Sequence, residues 1–423
     1  MSQPRTFALA AFFAQVAALG LAAACSSEPL SEPSGGGEAG AEGSAGDPNL
    51  PEIPDYTSSA CYGAARATDV YDGQTHQVSP VAATCRAEGE RTLLYVDDAL
   101  WEDGVTQDDV NGFMARFELR GEAESAHPDL GVLAANEAVF GPLDTSALTG
   151  EKLAIFVIDT RGGGDGYLCS WCDEPELHLD GPNVAPLDAD EALSIAAHES
   201  YHAIHRAHDA NEELWLDETL AEAAMTVNGF FSDGPALSSY TGNPNVDWGP
   251  AGADVTSFHY GAGLAFGTFL WERGGAELMR TLTSEPLNGF PGLDAALAAT
   301  GHAQSGWDLF LELGVALHFD APERGFGFES FDLTPKARAE ALAPGDGFDG
   351  HLEPYGFVYY ELGDDFAGVT VSGGGGLAAF LLRDGDPIER EQLRLGVEAP
   401  LGSGPVVLML SAPESVTFEL STR

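Results

Sequence analysis

The sequence predicts an α+β protein, with a mixed sheet and long helices first and an all-β module at its C-terminal end. Three observations support this. Residues 91–96 and 153–158 are apolar runs of strand length, and residues 107–117 between them carry a helical spacing. Residues 188–225 hold two helical stretches broken at Asp209, Ala210 and Asn211. From about Leu352 onward, short apolar runs at 357–360, 369–371, 377–382, 406–410 and 416–420 are separated by Gly, Asp and Pro, as in a small β-sandwich.

At the N-terminus, Arg5 is followed by an apolar run over residues 6–24, broken only by Gln15. It ends in Leu21-Ala22-Ala23-Ala24-Cys25. Small residues before a cleavage point mark residues 1–24 as a secretory signal, too short for a retained membrane helix. The end of the run resembles a bacterial lipobox, although Ala22 stands where Leu is usual. That resemblance implies lipidation at Cys25, with ordinary signal cleavage as the alternative. Residues 25–55 are rich in Ser, Gly, Glu and Pro and cannot bury a core, which suits a flexible tether. The expectation is an exported lipoprotein of the bacterial cell envelope, periplasmic or surface-facing, held to the membrane by an N-terminal lipid anchor.

The folded part divides into a domain over residues 56–345 and a β-rich module over residues 346–423. The strand at 153–158 is apolar throughout and predicts burial. Glycines 162–164 and Gly166 mark a loop, and residues 176–180 alternate polar with apolar, which predicts a half-exposed strand. Further helices are expected at residues 259–271, 276–283, 293–299 and 307–318.

The formal net charge is −49, from 67 acidic and 18 basic residues, and Lys152 and Lys336 are the two lysines. Such a chain repels nucleic acid, so no nucleic-acid partner is expected. There are five cysteines. With Cys25 lipidated, four remain for an oxidising compartment, where Cys61 can pair with Cys85 and Cys169 with Cys172. The C-x-x-C spacing of Cys169 and Cys172 also occurs in redox and zinc sites. No second C-x-x-C accompanies it, so a local disulfide is the better reading.

His198-Glu199-Ser200-Tyr201-His202 carries the chemistry. Two histidines four apart on a helix share one face, so both imidazoles can reach one metal ion. Glu199, between them, can take a proton from water and return it to a leaving amine. Catalytic zinc takes three protein ligands and keeps one position open. Glu218, on the second helical stretch, is well placed as the third. His208 is the competitor, by the spacing HExxHxxGxxH, but His205 stands where that pattern needs a glycine to turn the chain. Glu222, one turn beyond Glu218, can hold a ligand histidine in its tautomer.

In this region the chain resembles the gluzincin metallopeptidases. Trp215-Leu216-Asp217-Glu218-Thr219-Leu220-Ala221 is similar to the Trp-Leu-Asn-Glu-Gly-Phe-Ala segment of aminopeptidase N-like enzymes. Like thermolysin-like enzymes, these follow HExxH with a glutamate ligand, though thermolysin's gap is longer. A histidine at the position of His205 is similar to the hyicolysin-like group. The resemblance implies a zincin-like catalytic domain, Zn²⁺ held by His198, His202 and Glu218, and Glu199 as general base. It implies an oxyanion donor at Tyr260, as in aminopeptidase N-like enzymes, or at His259, as in thermolysin-like ones. It also implies a substrate-pairing edge strand, expected within residues 167–180. The function expected is zinc-dependent hydrolysis of a peptide or protein substrate by metal-activated water. The alternative is a non-catalytic surface binding lipoprotein on the same scaffold.

Overall fold

The computed structural model describes residues 53–148, 151–172, 174–231, 234–248 and 256–423. The signal segment, Cys25 and the tether up to residue 52 lie outside the described residues. The protein is mixed α and β with several sheets. The described residues fall into two compact units, those from 53 to 207 with 227–231, and those of 208–226 with those from 234 onward.

The first unit is built on a six-stranded sheet of β1 (Ala65–Asp72), β2 (Gln77–Glu88), β3 (Thr92–Asp97), β4 (Leu153–Ile158), β5 (Gly166–Leu168) and β6 (Glu176–Asp180), in the order β1-β2-β3-β4-β6-β5. β3, β4 and β6 run parallel, and the other neighbours are antiparallel. Every residue of β4 is buried, as expected of a central parallel strand. Val70, Ala83, Cys85, Tyr95, Ala154, Phe156 and Ile158 form one apolar cluster on this sheet. Helix α1 (Gln107–Met114) opens with a reciprocal cap between Thr106 and Asp109 and runs on into a π-helical turn at Ala115–Leu119. Helices α2 (Val132–Phe140), α3 (Gly181–Val184) and α4 (Asp190–His208) follow. The structure joins Cys61 to Cys85 and Cys169 to Cys172.

β6 departs from the sequence expectation. It is not half-exposed but buried along its whole length, between β4 and the short edge strand β5. Its three polar residues are accommodated because other strands bring partners to them. Glu176 pairs with Arg66 and accepts the Thr68 hydroxyl at 2.6 Å. His178 lies between the Tyr167 hydroxyl, 2.7 Å from Nδ1, and the Thr68 hydroxyl, 3.1 Å from Nε2. Burial lowers the His178 pKa and favours the neutral ring. Burial alone would raise the Glu176 carboxyl, but hydrogen bonds from His178 and Thr68 and the charge of Arg66 hold it below its usual range.

Asp180, at the end of β6, is pushed up to about 6, first by burial and then by Asp159 and Asp165. Its folded-state pKa therefore lies above the ordinary 3.8, so the folded protein binds this proton more tightly than the unfolded chain. The stability it contributes is present below pH 4 and is lost as pH rises towards 6. At about 1.4 kcal/mol per pKa unit, the loss is roughly 3 kcal/mol. Asp180→Asn keeps an oxygen for the Thr160 amide, which Asp180 accepts at 2.7 Å. Denaturant unfolding of the variant should therefore lose about that much of the wild-type decline between pH 4 and 6. Identical slopes for the two proteins would refute the assignment.

The second unit contains α5 (Leu214–Val227, up to Thr226), α6 (Gly234–Gly242), α7 (Ser257–Thr283), α8 (Gly289–Ala299) and α9 (Gly306–Phe319). The helices expected at 259–271 and 276–283 are one element broken at Gly275, whose φ is 57°. Gly267 lets α7 approach α5 closely, because a Cβ there would stand 2.2 Å from the Thr219 carbonyl oxygen. The C-terminal strands are β7 (Glu340–Ala341), β8 (Gly347–Leu352), β9 (Phe357–Leu362), β10 (Gly368–Gly373), β11 (Ala378–Arg383), β12 (Glu389–Gln392), β13 (Ala399–Pro400), β14 (Val406–Ser411) and β15 (Val416–Thr422). They form a four-stranded sheet, β13-β10-β15-β8, and a five-stranded sheet, β12-β11-β14-β9-β7. Both sheets contribute to one apolar cluster, which includes Leu362, Val371, Leu381, Leu408, Phe418 and Leu420.

Candidate metal centre

His198 and His202 lie on α4, which starts with Asp190 and Glu191 in its first turn, where acidic groups suit the helix dipole. The helical period brings the two rings together. Their Nε2 atoms are 3.1 Å apart and their ring centres 4.9 Å apart. A ligand atom from each of His198, His202 and Glu218 lies within 4.8 Å of the others, so the three can hold a metal ion. His198 and Glu199 are each 2% exposed and Glu218 is 8% exposed, whereas His202 is half-buried. The rival His208 is exposed and belongs to none of the metal-holding groups among the described residues.

Helix α4 is fixed from behind by a buried amide pair. Asn136 on α2 donates to the Ala197 carbonyl at 2.8 Å and to the Ser200 hydroxyl at 2.9 Å. Asn228 donates to the Asn136 side-chain carbonyl at 2.7 Å. The Tyr201 ring packs edge-on against Phe140, with centres 4.9 Å apart. These contacts lock the rotation of α4 and so the direction of its histidines. Sequence reasoning missed Asn136 and Asn228, since neither belongs to a motif.

The edge strand β5 runs beside Glu199. A Cβ on Gly166 would stand 2.5 Å from Ile195 Cγ2 and 3.5 Å from Glu199 Cγ. A glycine is required there for strand and helix to approach this closely. Tyr167, the next residue, is tied to β1 through the Tyr71 amide, 3.1 Å from its hydroxyl, and to β6 through His178. The expected edge-strand region at 167–180 thus contains one edge strand, β5, and one interior strand, β6.

Glu222 is fully buried, and its Cγ lies 3.2 Å from the place a Cβ on Gly263 would occupy. Tyr260 is buried and sits one turn before Gly263, on the face that α7 turns towards α5. His259 is placed differently. Its Nδ1 accepts the Thr256 amide at 3.0 Å, closing a reciprocal cap, and its Nε2 then donates to the Asp247 carbonyl at 3.0 Å. Both ring nitrogens are engaged with backbone, so an oxyanion donor role for His259 would break the cap of α7.

Cys169, Cys172 and His178 also come within metal-binding reach of one another. The two sulfurs are joined to each other, and both His178 nitrogens face hydroxyl groups. This group acts as a staple behind β5. Among the described residues, no helix is long and apolar enough to cross a membrane.

No protein-family model matches the chain, and no curated protein matches it. Among solved structures, a de novo designed double-stranded β-helix matches 18% of this chain and 99% of its own length, at 17% identity and a TM-score of 0.15. A likeness at that score carries no argument about fold or function.

Proposed function

We propose that this chain is a zinc metallopeptidase of gluzincin type, with a zincin-like catalytic domain. The carrying observation is the convergence of two imidazole nitrogens, at 3.1 Å, with a glutamate from the next helix. Two nitrogens held at 2.0–2.1 Å by one tetrahedral zinc ion stand about 3.3 Å apart, close to what is observed. Two imidazoles and one carboxylate are also a donor set of catalytic zinc, with a fourth position left open.

Bound zinc would supply Lewis acidity, making water acidic near neutral pH and polarising a carbonyl. The chain's own residues would do the rest. Glu199 takes the proton of the attacking water and returns it to the leaving amine. The Tyr260 hydroxyl donates to the oxyanion as charge develops there. The β5 edge pairs with an extended substrate through its backbone, next to Glu199. Glu222 orients a ligand imidazole. The acidic charge of the chain favours cationic peptides. With its signal-like N-terminus and Cys25, the enzyme would work outside the cytoplasm, tethered by lipid.

Loading the full chain with zinc and adding unstructured peptides tests this reading. Hydrolysis should stop on removal of zinc by a chelator and return when zinc is restored. Stoichiometric zinc with no cleavage across a diverse peptide library would instead favour a binding protein.

A further inference from the structure

We propose that His205, Asp209 and Glu212 form a second divalent-metal site, distinct from the one built on His198, His202 and Glu218. Each offers one ligand atom, and these atoms lie within 4.8 Å of one another. The site is local to eight consecutive residues. His205 lies in the last turn of α4, Asp209 follows directly after the helix ends, and Glu212 comes three residues on through the turn.

The carboxylates are oriented by backbone before any ion arrives. Asp209 Oδ1 accepts the Asn211 amide at 3.3 Å. Glu212 Oε1 accepts the amides of Glu213 at 2.6 Å and Gly289 at 2.7 Å. The independent sign of a ligand is Asp209 itself. It is 7% exposed, and its Oδ2 is buried with no hydrogen-bond partner among the described residues. A buried carboxylate oxygen with no donor is unfavourable, and a cation at that oxygen removes the penalty.

The donor set decides the class of ion. One imidazole with two carboxylates suits a first-row divalent transition ion such as Zn²⁺ or Mn²⁺, whereas Ca²⁺ prefers an all-oxygen shell. Bound there, the ion braces the turn that follows the HExxH helix. Occupancy of this site is independent of peptide hydrolysis.

The test counts tightly bound Zn²⁺ per full-length chain after chelator treatment and back-titration, in excess Ca²⁺ to screen the acidic surface. Wild type should bind two equivalents, Asp209→Asn and His202→Ala one each, and the double variant none. Glu212→Gln should match Asp209→Asn, which covers the case in which one of the two fails to fold. Two equivalents retained by Asp209→Asn would overturn the proposal. So would a single wild-type equivalent that is lost in His202→Ala and kept in Asp209→Asn, an outcome that leaves the first site intact. A single equivalent lost only in Asp209→Asn would sustain this site and remove the other.

Discussion

Glu199→Gln should lower kcat for peptide hydrolysis by about 10²–10⁴-fold while the protein keeps its metal. The reasoning is electrostatic and geometric. Glutamine preserves the volume of a side chain that is 2% exposed and flanked on α4 by the two histidines of the candidate metal group. It cannot carry a proton between water and a leaving amine. KM should change little, because the proposed mechanism pairs the substrate's backbone with β5 and not with this carboxylate. Metal analysis of the same preparation separates loss of the base from loss of the ion. Full activity in a metal-loaded Glu199→Gln protein would end the proposed mechanism.

Glu218→Ala should abolish stoichiometric metal at the histidine pair, whereas His208→Ala should leave it intact. Removing a group that only orients a ligand typically costs 10–100-fold in affinity. Removing one of three direct ligands costs more than that. His208 is the natural control, because it is exposed and outside the group formed by His198, His202 and Glu218. Zinc titrations should therefore show the Glu218 variant shifted by more than about 100-fold and the His208 variant superimposed on wild type. The reverse pattern would transfer the third ligand to His208 and replace the gluzincin reading with the metzincin one.

The parts of the site that were legible in the sequence are those set by local periodicity. Four-residue spacing in a helix placed His198 beside His202, and the apolar run at 153–158 became β4 with the same limits. β9, β10, β11, β14 and β15 were likewise announced by short apolar runs between turn residues, whereas β7, β8, β12 and β13 carried no such signal. Features set by distant partners were not legible. β6 alternates as a half-exposed strand does, but Arg66, Thr68 and Tyr167 come from other strands to satisfy its polar residues. β1 and the outer part of β2 are built largely from small and polar residues and carry little apolar signal. The three-residue edge strand β5 is too short to leave a pattern, although Gly166 on it lies close to Glu199. His259 has a local role the sequence did not announce: it closes the cap of α7 at a position where Glu or Gln is the recognisable residue.

The most direct test of the account is anomalous diffraction at the zinc edge, from crystals of the full chain grown with zinc. A zinc ion at the proposed centre gives a peak within about 2.0–2.2 Å of Nε2 of His198, Nε2 of His202 and a carboxylate oxygen of Glu218. No peak at the histidine pair, or a peak there completed by His208 with Glu218 turned away, would contradict it.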